Sequence, residues 1–195
     1  MCGRHCLGDK RKSMLNALLL MCCNLLRTAV RRVCHPGRYK VSWIQRISPR
    51  CALRLFDRGT LVVGRNCDFA PFCDFEVHGK GTLTIGEGCY FNRYCMISAH
   101  QEVSIGDHCM FGPGVKIFDN NHKHSPETGV SPALTTAPVT IGDGCWIASD
   151  AIILKGAKIG RNCVIGAGCI VSGVIPDGSV VRVSQTLEIR SRIER

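Results

Sequence analysis

Large apolar residues recur at every sixth position along much of the chain. The longest uninterrupted ladder is formed by Ile141, Ile147, Ile153, Ile159, Ile165 and Val171. The residue after each of these positions is often Gly or Ala. A fixed short period of this kind is typical of a β-solenoid, in which every repeat supplies one strand and one turn. The large side chain would point into the core, and the small residue would let the chain bend at a corner.

The same spacing appears in three shorter runs upstream. They are Val63, Phe69 and Phe75; Ile85, Phe91 and Ile97; and Ile105, Phe111 and Ile117. Three hexapeptides would close one triangular coil, and the extra residues between runs predict insertions at corners. We therefore predict that residues 59–177 form a β-helix of stacked coils, followed by a strand-like tail over residues 178–195.

The ladder is interrupted once, over residues 118–138. It resumes in phase, because Ile117 and Ile141 are 24 residues apart. The interruption is predicted to be an irregular loop, and long loops in compact domains are usually functional or disordered. This one carries His122 and His124, whose imidazoles can exchange protons near neutral pH.

The cysteines follow the repeat. The chain has 14, and eight occupy one repeat position, four residues after a large apolar residue: Cys67, Cys73, Cys89, Cys95, Cys109, Cys145, Cys163 and Cys169. Cysteine can serve there as a small buried hydrophobe. Because no Cys-x-x-Cys pair occurs, neither a structural zinc site nor a disulfide framework is predicted. Buried free thiols suit a reducing cytoplasm, which is the location we expect.

Charge separates the chain into two parts. Residues 1–58 hold 13 Lys/Arg and 2 Asp/Glu, a net charge of +11, whereas the remainder is close to neutral. This basic extension contains a 13-residue apolar run, Met14–Leu26, which is short for crossing a bilayer. It predicts a helix that either packs on the domain or lies on an anionic membrane, at the inner membrane face. Nucleic acid is not expected, because the extension has few aromatics for base stacking, Tyr39, Trp43 and Phe56.

The residues on either side of the interruption carry a family resemblance. The segments VSIGDHCMFGPGVKI and PVTIGDGCWIASDAIILKGAKIGRNCVIGAGCIVS resemble those of the galactoside and maltose O-acetyltransferases. They also resemble the capsule, colanic-acid and lipopolysaccharide O-acetyltransferases. The resemblance implies an all-β fold, a left-handed parallel β-helix, in a homotrimer with active sites between subunits. It also implies acetyl transfer from acetyl-CoA to a sugar or glycan hydroxyl, with no metal required.

The resemblance also implies roles for residues on the acceptor side. In that family a loop histidine is the general base, and His122 matches it, with His124 as the rival base or an acceptor contact. Asn92 matches an acceptor-binding asparagine. His100 stands where related sugar acetyltransferases carry an acidic residue, so we expect an acceptor that differs from a simple galactoside.

Four further residues match positions that contact the co-substrate. Trp146 matches a tryptophan that flanks the CoA arm. Ser149, Ala167 and Ser172 match positions that contact CoA largely through the backbone, and the Ser149 amide is a candidate oxyanion donor. Relatives often have Thr-Lys where this chain has Ser172-Gly173, and the familiar Gly-Asn-Pro-Ala ending is missing.

Three other functions fit parts of the same pattern. An amine could replace the hydroxyl as acceptor. A γ-class carbonic anhydrase has the same fold and binds zinc through three histidines, but the usual spacing of two ligand histidines is missing here. A non-enzymatic scaffold would have no need for His122.

Overall fold

A computed structural model describes residues 21–184, in which a triangular solenoid follows a single helix. Residues 21–34 are helical and form α1. The chain then winds through 22 strands within the described range. Parallel pairing joins equivalent strands of successive coils into three sheets, which we name the first, second and third faces. The fold is the left-handed parallel β-helix that the repeat and the resemblance predict.

Apart from the two strands of a separate hairpin, each face contains every third strand along the chain, one from each successive coil. The first face contains β1 (Tyr39–Val41), β4 (Thr60–Val63), β7 (Thr82–Ile85), β10 (Glu102–Ile105), β15 (Val139–Ile141), β18 (Lys158–Ile159) and β21 (Val174–Ile175). The second face contains β2 (Gln45–Ile47), β5 (Cys67–Phe69), β8 (Tyr90–Phe91), β11 (Met110–Phe111), β16 (Trp146–Ile147), β19 (Val164–Ile165) and β22 (Val180–Val181). The third face contains β3 (Ala52–Leu55), β6 (Asp74–Val77), β9 (Met96–Ala99), β12 (Lys116–Phe118), β17 (Ile152–Ile153) and β20 (Ile170–Val171). A separate antiparallel pair joins β13 (Asn120–Ser125) and β14 (Gly129–Thr136).

The predicted hexapeptide ladder is the core of the solenoid. Each large apolar residue lies directly above its counterpart in the previous coil, as in the pairings Ile105 to Ile141 and Phe91 to Phe111. On the second face, the rings of Phe69, Phe91 and Phe111 stack with centroids 5.3 and 4.2 Å apart. The ladder positions from Val63 to Val171 are buried, which confirms the period of six.

The first coil lies upstream of residue 59, where the sequence analysis places the start of the β-helix. Val41, in β1, pairs with Val63 of the next coil, and both are buried. The repeat position that later coils fill with Cys is occupied here by Gln45. Its Nε2 group donates to the Gly64 carbonyl and its Oε1 accepts from the Cys67 amide at 2.9 Å. A polar residue therefore fills a buried position because both its amide nitrogen and its amide oxygen are hydrogen-bonded inside the protein.

The buried cysteines do more than fill space. The Cys67 thiol donates to the carbonyl of Gly86, one coil further on, at 3.1 Å, and Cys109 does the same to Gly142 at 3.2 Å. The Cys145 thiol donates to Gly160 at 3.0 Å, and burial raises its pKa to about 11. Protonated thiols thus satisfy corner carbonyls that lie between strands, a role that the sequence analysis did not assign.

Helix α1 covers the N-terminal end of the solenoid with its polar side. The Arg27 guanidinium donates to the Cys51 carbonyl at 2.6 Å, and Arg32 donates to the Val41 carbonyl at 2.7 Å. Asn24 is buried on the same side of α1. These contacts satisfy main-chain carbonyls of the first coil, which has no preceding coil to pair with. Residues 14–20 of the predicted apolar helix lie outside the described range, and no helix within it is long and apolar enough to cross a bilayer.

The stacked phenylalanines should dominate the stability of the N-terminal coils. We expect Phe91→Ala to lower the free energy of unfolding by about 3–5 kcal/mol, because a large cavity opens in the core. Phe72 is a matched control: it stacks on Tyr94 on the outside, at 5.3 Å, and its replacement by Ala should cost about 1 kcal/mol or less. Denaturant unfolding measures both, and equal losses would contradict the assigned core.

Candidate active site

The interruption of the ladder is a β-hairpin rather than the irregular loop that the sequence predicts. It leaves the corner between the third and first faces, which we name the third–first corner. Strands β13 and β14 pair antiparallel. In the turn, the Ser125 hydroxyl accepts from the Thr128 amide at 3.0 Å, and Gly129 has a φ of +70°. The alternation of apolar and polar residues is weak here because both faces of the hairpin are largely exposed, so its strands leave little trace in the sequence.

His122 lies on the hairpin, and one nitrogen of its ring contacts a main-chain carbonyl oxygen. Its Nδ1 atom is 3.2 Å from the Ser131 carbonyl oxygen, which can only accept a hydrogen bond. Between His122 and His124 the pairing register of the hairpin shifts, so that residues 131–133 of β14 pair with no residue of β13. Pro132, which has no N–H to donate, lies in this unpaired stretch. Since a carbonyl oxygen only accepts, the contact with Ser131 requires the proton on Nδ1, so that in the neutral tautomer the lone pair is on Nε2. Nε2 has no hydrogen-bond partner within residues 21–184.

A pocket of about 380 Å³ adjoins this imidazole. It is lined by Asn121, His122, Lys123, His124, Thr135 and Lys155. The structure thus brings the two candidate bases, His122 and His124, to one pocket. Lys155 was not among the predicted site residues, although its position two residues after Ile153 in the ladder places it on the same corner.

A buried carboxylate anchors the base of the hairpin. Asp119 accepts hydrogen bonds from three successive amides, those of His100, Gln101 and Glu102, at 2.7 to 2.9 Å. Its side chain is fully buried, and Asn120 donates to it at 3.1 Å. A buried charge requires such hydrogen bonds to compensate for its lost hydration. Asp119 therefore ties the hairpin to the turn that carries His100.

His100 lies in a column of stacked rings on the third–first corner. The rings of Phe56, His78 and His100 are parallel, with successive centroids 4.5 and 4.4 Å apart. Burial lowers the pKa of His100, and the neighbouring His78 lowers it further, against the opposing carboxylates of Asp119 and Glu76. His100 is consequently neutral at neutral pH, unlike the acidic residue that the resemblance leads one to expect at this position.

A different corner carries Asn92. It lies between the second and third faces, at the second–third corner, beside a groove of about 700 Å³. Its Oδ1 atom accepts from the Arg93 amide at 2.8 Å, as in a corner-turn asparagine. Its Nδ2 group makes no hydrogen bond to any described residue and is available to a ligand.

The candidate co-substrate residues fall mainly on the second–third corner. Ser149 and Ala167 occupy the same corner position in successive coils, and their amides donate to no oxygen of the described residues. Earlier coils have Pro49, Pro71 and Pro113 in this column, or Arg93, whose amide is capped by Asn92. Two N–H groups without a partner among the described residues thus follow four earlier coils in which this column has no free amide.

The remaining two predicted residues lie apart from that pair. Trp146 is on the outer side of the second face and is half-exposed. Ser172 follows β20 and is exposed at the third–first corner. A single chain therefore brings together His100, His122, His124 and Ser172 on one corner, and keeps Asn92, Ser149 and Ala167 on another. Between residues 21 and 184, no group of three or more His, Cys, Asp or Glu side chains is arranged to hold a metal ion.

Comparisons with known proteins agree with the acetyltransferase resemblance found in the sequence. Residues 138–173 match the family model described as bacterial transferase hexapeptide, six repeats. The galactoside O-acetyltransferase of Lactococcus lactis is 39% identical over 79 residues, which are 40% of this chain and 38% of that protein. The putative colanic acid biosynthesis acetyltransferase WcaF of Escherichia coli is 29% identical over 93 residues, 48% of this chain and 50% of that protein. The match therefore spans half or less of each curated relative.

The fold agrees with a solved acyltransferase. AntD, an N-acyltransferase from Bacillus cereus solved with dTDP and 3-hydroxybutyryl-CoA, superposes with a TM-score of 0.64 at 17% identity, over 85% of this chain and 89% of that one. In repeat, fold and local sequence, the chain thus resembles the hexapeptide-repeat acyltransferases. The relatives include a galactoside O-acetyltransferase and a putative lipopolysaccharide biosynthesis O-acetyl transferase of Escherichia coli.

The anchor of the hairpin can be tested by an isosteric change. In Asp119→Asn, an NH2 group would face amides that all donate, so we expect a loss of about 1–3 kcal/mol in unfolding free energy. Hydrogen exchange at residues 100–102 should accelerate in the folded protein. Asp150→Asn, at an exposed corner, is the control and should change stability by no more than about 0.5 kcal/mol. Unchanged exchange in Asp119→Asn would contradict the anchoring role.

Proposed function

We propose that this protein is an acetyl-CoA-dependent O-acetyltransferase that acts on a sugar hydroxyl of a surface polysaccharide or lipopolysaccharide. The observation that carries the proposal is the placement of His122. Its Nδ1 contacts a carbonyl oxygen, Nε2 has no partner among residues 21–184, and the imidazole lines a pocket. An imidazole held in this way is suited to general-base catalysis. The similarity to galactoside and colanic-acid acetyltransferases supports this choice of reaction.

The reaction then needs a single step, in which the acetyl group passes directly from CoA to the acceptor hydroxyl. Nε2 of His122 accepts the proton of the acceptor hydroxyl while that oxygen attacks the thioester carbonyl. A carbon–oxygen bond forms, the carbon–sulfur bond breaks, and the proton passes to the leaving CoA thiolate. The neutral His100 and the Asn92 amide would orient the acceptor by hydrogen bonds, with His124 at the pocket wall. Such positioning lowers the barrier because the reactants no longer have to find their orientation.

The column of free amides fits the co-substrate. The Ser149 N–H would donate to the thioester oxygen as charge develops on it. The Ala167 N–H, one coil further on, would bind the CoA arm, which Trp146 would flank. Ser172 would contact the distal part of CoA from the other corner.

Complete sites require more than one chain. The base lies on a different corner of the prism from Ser149 and Ala167, so we infer that they meet across a cleft between copies in a homotrimer. The second face supports this arrangement, because its outer side carries an in-register apolar column: Tyr90, Met110, Trp146, Val164 and Val180. Covering such a column is favoured by the hydrophobic effect.

Activity is tested by incubating the protein with acetyl-CoA and a panel of sugars, amino sugars and surface-polysaccharide fragments. Because the chain has 14 cysteines, released CoA is measured by chromatography rather than with a thiol reagent. His122→Gln should lower the rate by about 10²–10⁴-fold, as expected when a general base is lost. His124→Gln is the matched control and should retain most of the activity.

Other outcomes would redirect the proposal. A larger loss in His124→Gln than in His122→Gln would reverse the assignment of the base. An alkali-stable acetylated product would identify an amine acceptor in place of a hydroxyl. No acetyl-CoA turnover or binding would reject the acetyltransferase.

The assembly is tested by a charge on the second face. Met110→Lys should convert the trimer into smaller species, because a buried unpaired ammonium is costly. Met96→Lys, on the outer side of the third face, should leave the trimer intact. Size-exclusion chromatography with light scattering reports the mass, and a wild-type monomer of 21.3 kDa would refute the trimer.

A further inference from the structure

Helix α1 has its apolar side outward. Its polar residues Asn24, Arg27, Thr28 and Arg32 face the first coil, where Asn24 and Thr28 are buried. The opposite side consists of apolar residues and cysteines: Cys22, Leu25, Leu26, Ala29, Val30 and Val33. A helix on the surface of a globular protein normally has the reverse arrangement. Here the first coil requires donors for its open carbonyls, so the polar side turns inward.

The outward side is strongly exposed. The exposed fractions of Leu26 and Val33 are 68% and 82%. No charged residue interrupts this side of α1 within residues 21–34, because Arg27 and Arg32 donate to carbonyls of the first coil and Arg31, four residues after Arg27, lies on the same side of the helix. A contiguous apolar patch of this kind marks an interaction surface.

The charge around the patch indicates its partner. Residues 21–58 contain nine Lys/Arg and a single acidic residue, Asp57. Lys40 and Arg58 are exposed, and no carboxylate of the described residues lies within 4 Å of them, whereas the Arg50 guanidinium lies over the Phe72 ring of the second coil. An apolar helix face rimmed by cations is the combination that binds an anionic lipid surface.

We propose that the outward side of α1 and its basic rim form a docking surface for an anionic lipid bilayer. Contacts from Arg27 to Cys51 and from Arg32 to Val41 show that α1 lies across the end of the solenoid. The helix would lie in the interface plane with its apolar side among the acyl chains, and the solenoid axis would stand away from the membrane. The basic rim would meet the lipid phosphates.

This orientation also indicates the class of acceptor, an inference that rests on the proposed function. The hairpin with His122 follows the fourth coil, and coils are separated by the strand spacing of about 4.8 Å. The pocket would therefore lie roughly 15 Å beyond the first coil, with α1 between that coil and the membrane, where a glycan that extends from its lipid carrier would reach it. Lipid-linked glycans are accordingly the class of acceptor that docking favours.

Vesicle flotation with the full chain tests the docking surface. Vesicles contain either phosphatidylcholine alone or phosphatidylcholine with phosphatidylglycerol. We expect the wild type to bind the anionic vesicles, with binding that weakens as salt is raised. Val33→Glu should reduce the apparent affinity by about tenfold or more, because a carboxylate would enter the acyl region.

The matched control is Val174→Glu, at the opposite end of the solenoid, where the valine is 72% exposed. It should bind vesicles as the wild type does, and both variants should unfold at the wild-type denaturant concentration. Equal binding by Val33→Glu and wild type would overturn the proposal, as would salt-independent binding to neutral vesicles. Loss of self-association in Val33→Glu, without vesicle binding by the wild type, would assign α1 to a contact between copies instead.

Measuring the acetylation of a soluble acceptor distinguishes the membrane-docking proposal from the proposed acetyltransferase activity. Val33→Glu should retain wild-type turnover in solution while losing vesicle binding. Failure of turnover in every variant would leave the docking result intact, since flotation needs no catalysis.

Discussion

In-register stacking of coils is the constraint on which the rest of this molecule depends. Each inward side chain packs on the equivalent side chain of the next coil, as Ile105 does on Ile141 although 36 residues separate them. A strand cannot lengthen by one residue without turning its apolar side outward. Additions are therefore confined to corners, and the largest is the hairpin that presents His122. The regularity of the core and the irregularity of the site have one physical origin.

The corners differ in what they expose. The third–first corner has rings and a hairpin held by the buried Asp119, so its side chains are available for proton transfer and acceptor recognition. The second–third corner offers main-chain amides at Ser149 and Ala167, whereas prolines and Asn92 remove them from this column in the first four coils. In the proposed enzyme, the side-chain chemistry of one edge and the main-chain chemistry of another would be combined between two copies of the prism.

The period of six predicted the inward columns because one packing rule determines each of those residues. The same count could have placed Lys155 beside His122. The first coil was missed because Gln45 replaces the usual cysteine and is tolerated only through hydrogen bonds that the sequence does not display. The hairpin was missed because its strands are exposed on both sides and so show no alternation of apolar and polar residues. The role of Asp119 was missed because its partners lie in a turn some twenty residues earlier in the chain. The assignments of His122 and Asn92 came from resemblance, and they stay predictions until activity is measured.

The thiol-to-carbonyl contact has a consequence for how such a chain can change over time. Cys67, Cys109 and Cys145 each complete the corner of the coil that follows, so one coil presents to its successor the same surface that it receives from its predecessor. Duplication or loss of a coil would leave both new junctions chemically complete. The length of the prism is thus open to genetic variation, whereas Gln45 and the arginines of α1 mark an end that cannot be repeated.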